Sequence, residues 1–122
     1  MRLNRLLDEF FAGRDESRLI FEAVREAVAA IGPAEIRATK SQVAFRRRRG
    51  FAYAWMPGMY LRRDDAPLVL TVGLRRRDGS PRWKQVVEPA PGRFTHHLEL
   101  YAPAEVDAEV SSWLREAWEA AG

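Results

Sequence analysis

The spacing of hydrophobic and polar positions changes twice along the chain. At the N-terminus, large apolar residues recur every three or four positions, at Leu3, Leu6, Leu7, Phe10 and Phe11. This spacing places all five on one side of a helix, so the segment predicts an amphipathic helix that ends at Gly13.

Two further helices are predicted by the same spacing. One ends at Gly32-Pro33, with Asp15 or Ser17 as its expected N-cap, because side-chain oxygens accept hydrogen bonds from free backbone N–H groups. Its expected buried face is Leu19, Ile20, Ala23, Val24, Ala27 and Ile31. The other lies at the C-terminus, with Asp107 as its expected N-cap and a stripe of Val106, Val110, Trp113, Leu114, Ala117, Trp118 and Ala121.

Between these helices the apolar residues alternate with a period of two, which predicts strands. The predicted strands start at Ile36, contain Val43 and Phe45, and then cover 51–55, 68–74 and 94–100. The stretch 82–87 is ambiguous, since Ser80-Pro81 resembles a helix start while Trp83, Gln85 and Val87 alternate as on a strand. Turn residues fill the connections at 56–58, 64–67, 78–81 and 88–92.

This order of elements predicts an α+β fold. We expect a single antiparallel sheet of about five strands, with two N-terminal helices and one C-terminal helix packed on it, as one domain over residues 1–122. Short connections between consecutive strands favour an antiparallel meander.

Composition excludes several classes of protein. The chain has no cysteine, which excludes a disulfide framework, a thiol nucleophile and any cysteine-ligated metal. No apolar run approaches the ~20 residues of a membrane span. Asn4, Arg5, Asp8 and Glu9 interrupt the apolar stretch that a signal peptide would need. We therefore expect a cytoplasmic protein with no membrane partner.

Charge is distributed unevenly. Residues 37–93 carry 14 Lys and Arg against 4 Asp and Glu, whereas residues 1–36 carry 5 against 7 and residues 94–122 carry 1 against 6. Such asymmetry indicates that the central region meets an anionic partner.

Several residues occur together in a recognisable pattern. They are Thr39-Lys40-Ser41-Gln42-Val43-Ala44-Phe45, Phe51-Ala52, Arg82, His96-His97-Leu98, Asp107, Trp113-Leu114 and Ala117. Over about residues 17–121 the chain resembles a bacterial family known as domain of unknown function 5655. It is more weakly similar to the small α+β domains related to the YdhG and YjbR proteins. The resemblance implies a fold and carries no activity.

The densest basic run is Arg46, Arg47, Arg48 and Arg49, followed by alternating aromatics at Phe51, Tyr53 and Trp55. Arginine forks match phosphate oxygens, and aromatic rings stack on bases, so the segment is a candidate contact for a phosphate or for nucleic acid. The alternative is a solvated hairpin end whose aromatic residues face the core. A second basic run, Arg75–Arg77, either joins this patch or lies at the other end of the sheet.

Alternation along a strand places the two neighbouring histidines on opposite faces. His96 shares its parity with Phe94 and Leu98 and is expected inside, while His97 shares the polar side with Glu99. A His97–Glu99 pair would orient an imidazole for general-base chemistry, or would be an ordinary hydrogen-bonded pair. No Gly-rich phosphate loop or metalloprotease motif occurs.

These observations favour a non-enzymatic module that binds an anionic ligand, either a small phosphorylated or carboxylated molecule or nucleic acid. The candidate ligand-binding residues are Lys40, Tyr53, Trp55, Arg82, Trp83, Lys84 and His97, with Arg46–Arg49 as further anion contacts. We assign no catalytic residue, metal or cofactor. The alternatives are a protein-interaction module that forms homo-oligomers, and a small enzyme that uses His97 and Glu99.

Overall fold

The computed structural model describes residues 2–59 and 65–122. In this part of the chain two helices precede six strands and a third helix follows them, which confirms the α+β class. The elements are α1 (Arg2–Phe10), α2 (Asp15–Ile31), β1 (Glu35–Ala38), β2 (Val43–Arg46), β3 (Gly50–Trp55), β4 (Leu68–Leu74), β5 (Gln85–Ala90), β6 (Arg93–Leu100) and α3 (Ala108–Ala120).

All six strands pair antiparallel in the order β1-β2-β3-β4-β6-β5. The expected meander is therefore wrong at its last step, because β6 lies between β4 and β5. β6 pairs with β4 over its apolar length, whereas β5 contains Glu88 and Pro89 and suits an edge, where a residue without an N–H is tolerated. The ambiguous stretch 82–87 contains the start of β5, which is the strand beyond the five that were expected. β5 begins at Gln85, and Trp83 precedes it.

The buried face of α2 differs from the prediction. Its buried residues are Ser17, Ile20, Phe21, Val24 and Val28, while Leu19 is 63% exposed. Neither expected residue caps the helix. The N-cap is Arg14, without a side-chain hydrogen bond. Asp15 lies in the first turn, where a carboxylate interacts favourably with the helix dipole. The Ser17 hydroxyl donates to the Pro67 carbonyl instead, at 2.7 Å.

Helix α3 matches its prediction more closely. The Asp107 carboxylate accepts a hydrogen bond from the Val110 N–H at 3.1 Å, and Val110, Trp113, Leu114 and Ala117 are buried. Of the predicted turn at 64–67, Asp64 lies outside the described residues.

One face of the sheet forms the core with the helices. A single buried cluster joins side chains of α1, α2 and α3 to the strand residues Val43, Phe45, Phe51, Ala52, Ala54, Leu68, Leu70, Val72, Leu74, Leu98 and Leu100. The side chains of Tyr53, Trp55, Thr71 and His97 do not belong to this cluster, because they alternate with its members on the opposite face. We call this second surface the open face.

Candidate functional site

The open face carries a row of polar side chains across four strands. The register pairs Tyr53 with Thr71, Thr71 with His97, and His97 with Gln85. A cavity of about 600 Å³, here called the face cavity, lies over this row. It is lined by Ser41, Gln42, Tyr53, Trp55, Thr71, Thr95 and His97.

Three of these side chains form a hydrogen-bonded chain. The Trp55 indole N–H donates to the Thr71 hydroxyl oxygen at 3.0 Å, and that oxygen lies 2.8 Å from Nδ1 of His97. The Trp55 and His97 rings also meet edge-on, with centroids 6.4 Å apart and planes at 89°. These contacts fix the position of the imidazole in the lining of the cavity.

The structure places His97 without a hydrogen bond to Glu99. Glu99 accepts a hydrogen bond from the Tyr101 hydroxyl at 3.4 Å and lies 4.0 Å from the Lys84 ammonium group. Burial lowers the pKa of His97, and the nearby His96 lowers it further. Thr71, not the expected Glu99, therefore orients the imidazole.

His96 lies on the helix side, fully buried, as its parity predicts. Its Nε2 accepts a hydrogen bond from the Asp78 backbone N–H at 3.0 Å, and its Nδ1 lies 3.2 Å from the Phe94 carbonyl oxygen. The Trp83 ring packs on it at 4.7 Å. This histidine is part of the core and does not reach the face cavity.

Arg82 and Trp83 also lie away from the face cavity. Arg82 pairs with Asp107 at 3.0 Å and with Glu109 at 2.9 Å, at the start of α3. The Trp83 ring is buried against Trp113, with centroids 4.1 Å apart. The structure therefore gives both residues contacts that hold α3 on the sheet, and neither joins His97.

Lys84 and Lys40 are exposed at the margins of the open face. Lys84 lies directly before β5, and its backbone N–H donates to the His97 carbonyl at 2.8 Å. Lys40 lies in the β1–β2 turn, where the Thr39 hydroxyl accepts hydrogen bonds from the backbone N–H groups of Ser41 and Gln42. That turn brings Ser41 and Gln42, rather than Lys40, to the cavity lining.

Arg46 ends β2, and the rest of the run, Arg47–Arg49, forms the β2–β3 turn beside the C-terminus of α3. The Arg47 guanidinium stacks on the Trp118 ring at 3.6 Å and donates to the Trp118 carbonyl at 2.9 Å. The Arg48 backbone N–H donates to the Ala121 carbonyl at 3.0 Å. The side chain of Arg46 lies 3.7 Å from Glu35. Arg47 and Arg48 therefore have a structural role, because the last carbonyl groups of a helix have no hydrogen-bond partners within the helix.

The two basic runs lie at the same end of the sheet. Extending the β3–β4 register brings Gly50 opposite Leu74, so Arg49 and Arg75 are close, and Arg75 donates to the Ala120 carbonyl at 3.2 Å. We call this region the arginine end. It comprises Arg48, Arg49, Arg75, Arg77 and Arg93, none of which forms an ion pair with a described carboxylate.

A second cavity of about 320 Å³ opens at the arginine end and is lined in part by Arg49, Arg75 and Arg93. It shares Tyr53 and Thr95 with the face cavity, so the two cavities adjoin each other at these residues. The Tyr53 ring extends toward this end over Gly50, where an added β-carbon would overlap its hydroxyl group. Glycine at residue 50 therefore allows the aromatic row to reach the arginines.

Of the predicted aromatic row, Tyr53 and Trp55 line the face cavity, whereas Phe51 is buried against Phe45 with ring centroids 6.5 Å apart. Sequence reasoning missed Thr71 and Thr95. A threonine at the centre of the most β-like run is a weak signal, and only the strand register shows that it meets His97.

In residues 2–59 and 65–122, no group of three or more acidic or histidine side chains could hold a metal ion. The same residues contain no helix of sufficient length and apolarity for a membrane span.

Comparison with known proteins gives a family and no activity. No match was found among curated proteins, and none was found among solved structures. The family model for a domain of unknown function, DUF5655, matches residues 7–121 and so covers nearly the whole chain. The α+β fold with its open sheet face is thus the fold of a protein that belongs to the DUF5655 family.

Proposed function

We propose that the protein is a non-enzymatic cytoplasmic module that binds a small phosphorylated or carboxylated organic molecule on the open face. The observation that carries the proposal is that the face cavity and the cavity at the arginine end share Tyr53 and Thr95 in their linings. A ligand body would lie over Tyr53 and Trp55, and its anionic group would lie between Arg49, Arg75 and Arg93.

The face cavity has the character of a small-molecule site. Its volume of about 600 Å³ lies within the ~300–1,000 Å³ typical of such sites. Aromatic rings supply most of its apolar lining, and hydroxyl, amide and imidazole groups supply a few polar contacts. This combination binds an organic body by burial and fixes its orientation by hydrogen bonds.

The arginine end supplies charge complementarity for an anion. Its guanidinium groups have no competing carboxylate among the described residues, and each offers a planar fork that matches a phosphate or carboxylate. Arg93 and His97 lie on the same strand and face, four residues apart, which corresponds to roughly 13 Å. A ligand that contacts both is therefore elongated.

Binding is tested by calorimetric titration of the protein with inorganic phosphate and with adenosine monophosphate, which joins an aromatic ring to a phosphate. We expect the nucleotide to bind more tightly, and Arg75→Ala and Arg93→Ala to weaken it about tenfold each, the loss of one charged hydrogen bond. Arg115→Ala is the matched control, because Arg115 is an exposed arginine on α3. Equal weakening by all three variants, or no binding of either probe, would refute the proposal.

Single-stranded nucleic acid is the second candidate, favoured by the meeting of both basic runs at one end of an aromatic sheet face. Here the affinity for a labelled single-stranded oligonucleotide should fall steeply with salt, and each arginine removed from the arginine end should reduce the log–log slope by roughly 0.7. Binding that does not depend on salt would exclude this candidate.

The oligomerisation alternative has less support. In such an oligomer the acidic residues of α3 would meet the basic region of a second protomer, but two of them pair within the same chain, Glu116 with Arg76 and Glu109 with Arg82. Carboxylates that already form ion pairs within the chain attract a second basic surface only weakly.

A further inference from the structure

The hydrogen-bonded chain of Trp55, Thr71 and His97 in the lining of the face cavity has a direction. An indole N–H can only donate, so the Thr71 oxygen accepts from Trp55. A hydroxyl group has one hydrogen to donate, and His97 Nδ1 is the only other group within reach among the described residues. Thr71 is buried in the middle of the sheet, at 6% exposure, where an undonated hydroxyl hydrogen would be costly.

We propose that Thr71, oriented by Trp55, is a positioning residue that holds neutral His97 as the tautomer with its proton on Nε2. His97 then presents an N–H donor to the face cavity, so the ligand group against it is a hydrogen-bond acceptor such as a phosphate or carboxylate oxygen. A divalent metal ion needs the lone pair of an imidazole nitrogen, and the protonated Nε2 of this tautomer has none free, so a metal ion does not bind there. The statement about the ligand rests on the proposed function, whereas the tautomer does not.

Nε2 of His97 is accessible for this contact. It has no hydrogen-bond partner among the described residues, and no buried side-chain nitrogen or oxygen in those residues lacks one, so Nε2 must reach the cavity. The titratable groups around the ring are Tyr53 from β3, His96 and Glu99 from β6, and Lys84 before β5. None of them hydrogen-bonds to the imidazole, so none opposes the direction that Thr71 imposes.

His96 provides an internal contrast. Its Nε2 accepts from a backbone N–H and its Nδ1 faces a backbone carbonyl, so its proton lies on Nδ1. Two adjacent histidines are thus assigned opposite tautomers, because strand alternation sends one to a backbone amide and the other to a threonine hydroxyl.

The test is a long-range ¹H–¹⁵N correlation spectrum of the labelled protein at a pH at which both imidazoles are neutral, with His97→Gln used to assign the two rings. We expect the Nε2–H pattern for His97 and the Nδ1–H pattern for His96. Thr71→Val should convert His97 to a mixture of tautomers, while Thr71→Ser, which keeps a hydroxyl group, should retain the pattern. Thr95→Val is the control, because Thr95 lines the same cavity without contacting the imidazole by a hydrogen bond.

A proton on Nδ1 of His97 in the wild-type protein, or an unchanged pattern in Thr71→Val, would overturn the assignment. If Thr71→Val does not fold, Trp55→Phe tests the same assignment. Without the indole N–H, the Thr71 hydroxyl can either donate to His97 Nδ1 or accept from it, so a mixture of His97 tautomers should appear. The ligand inference is tested in the same spectrum by titration with zinc chloride and, separately, with inorganic phosphate. We expect the His97 Nε2 signal to shift with phosphate and not with zinc. A zinc-induced shift would overturn the acceptor inference, whereas a correct tautomer without a phosphate response would count against the proposed function only.

Discussion

At the scale of single residues, the paired histidines show how strand alternation separates two chemically identical groups. His96 has no exposed surface and is packed against Trp83 and the Asp78 backbone, whereas His97 lines an open cavity. Parity along β6 was sufficient to predict this division. The partners of each imidazole come from elements distant in sequence, so parity did not reveal them.

The burial of His96 should make stability depend on pH. Burial lowers its pKa, and burial also lowers that of His97. As the pH falls, the histidines of the unfolded chain bind protons near their ordinary pKa of about 6.5, whereas those of the folded chain stay neutral to a lower pH. The free energy of unfolding should therefore fall as the pH decreases below about 6.5. Urea denaturation between about pH 7 and pH 5 measures this loss.

Variants separate the contributions of the two histidines. His96→Gln should flatten the pH dependence more than His97→Gln does, because His96 is the fully buried ring. The lowered pKa values of Asp78 and Asp107 act at more acidic pH, since their ordinary value is 3.8, and so do not enter this window. A His96→Gln protein with the wild-type pH dependence would contradict the assignment.

At the scale of elements, the C-terminus of α3 accounts for one arginine of the run, Arg47, whose side chain contacts it, whereas Arg48 contacts it only through its backbone N–H. Arg47, Arg48 and Arg75 all donate to carbonyls in the last turn, and the Trp118 N–H donates to the Pro33 carbonyl at 3.0 Å. One helix end thereby connects the β2–β3 turn, the end of β4 and the segment after α2. A run of like charges usually indicates a solvated surface, and nothing in the sequence indicates that Arg47 lies over Trp118.

The Arg47 contacts predict a measurable loss of stability. Arg47→Ala removes a cation–π stack and a hydrogen bond to the negative end of a helix, and we expect the free energy of unfolding to fall by about 1–2 kcal/mol. Arg49→Ala is the matched control and should change it by less than about 0.5 kcal/mol, because Arg49 is exposed. Urea denaturation of both variants decides the matter, and equal losses would show that charge rather than these contacts is responsible.

The strand order is the element-level result that the sequence predicted least well. About five strands and one ambiguous stretch were predicted, but the insertion of β6 between β4 and β5 depends on which of the two strands buries more apolar surface beside β4. β6 contributes Leu98 and Leu100 to the core, whereas β5 has no fully buried residue. That comparison requires the whole sheet.

At the scale of the molecule, two groups account for much of the described basic charge. Basic residues such as Arg76 and Arg82 neutralise the acidic face of α3. The five residues of the arginine end form the second group, without described acidic partners. Part of the central excess of positive charge therefore reaches solvent next to the open face.

A single buried cluster that joins all three helices to the sheet predicts one cooperative unfolding transition. Tryptophan fluorescence and far-ultraviolet circular dichroism should give the same midpoint in urea, because the tryptophans report from several places, including the face cavity (Trp55), the core (Trp83 and Trp113) and the end of α3 (Trp118). Two separated transitions would show that the sheet and the helices unfold independently.

The sequence alone determined most of the elements, because helical and strand periodicity are local properties of the chain. It correctly placed Asp107 as a helix cap and His96 inside, and it left open whether Tyr53 and Trp55 face the core or a groove. Only the tertiary structure decided which residues meet: Thr71 with His97, Arg47 with Trp118, and the two basic runs with each other. Those contacts join segments far apart in the chain, and the strand register that creates them is set by the burial of the whole sheet at once.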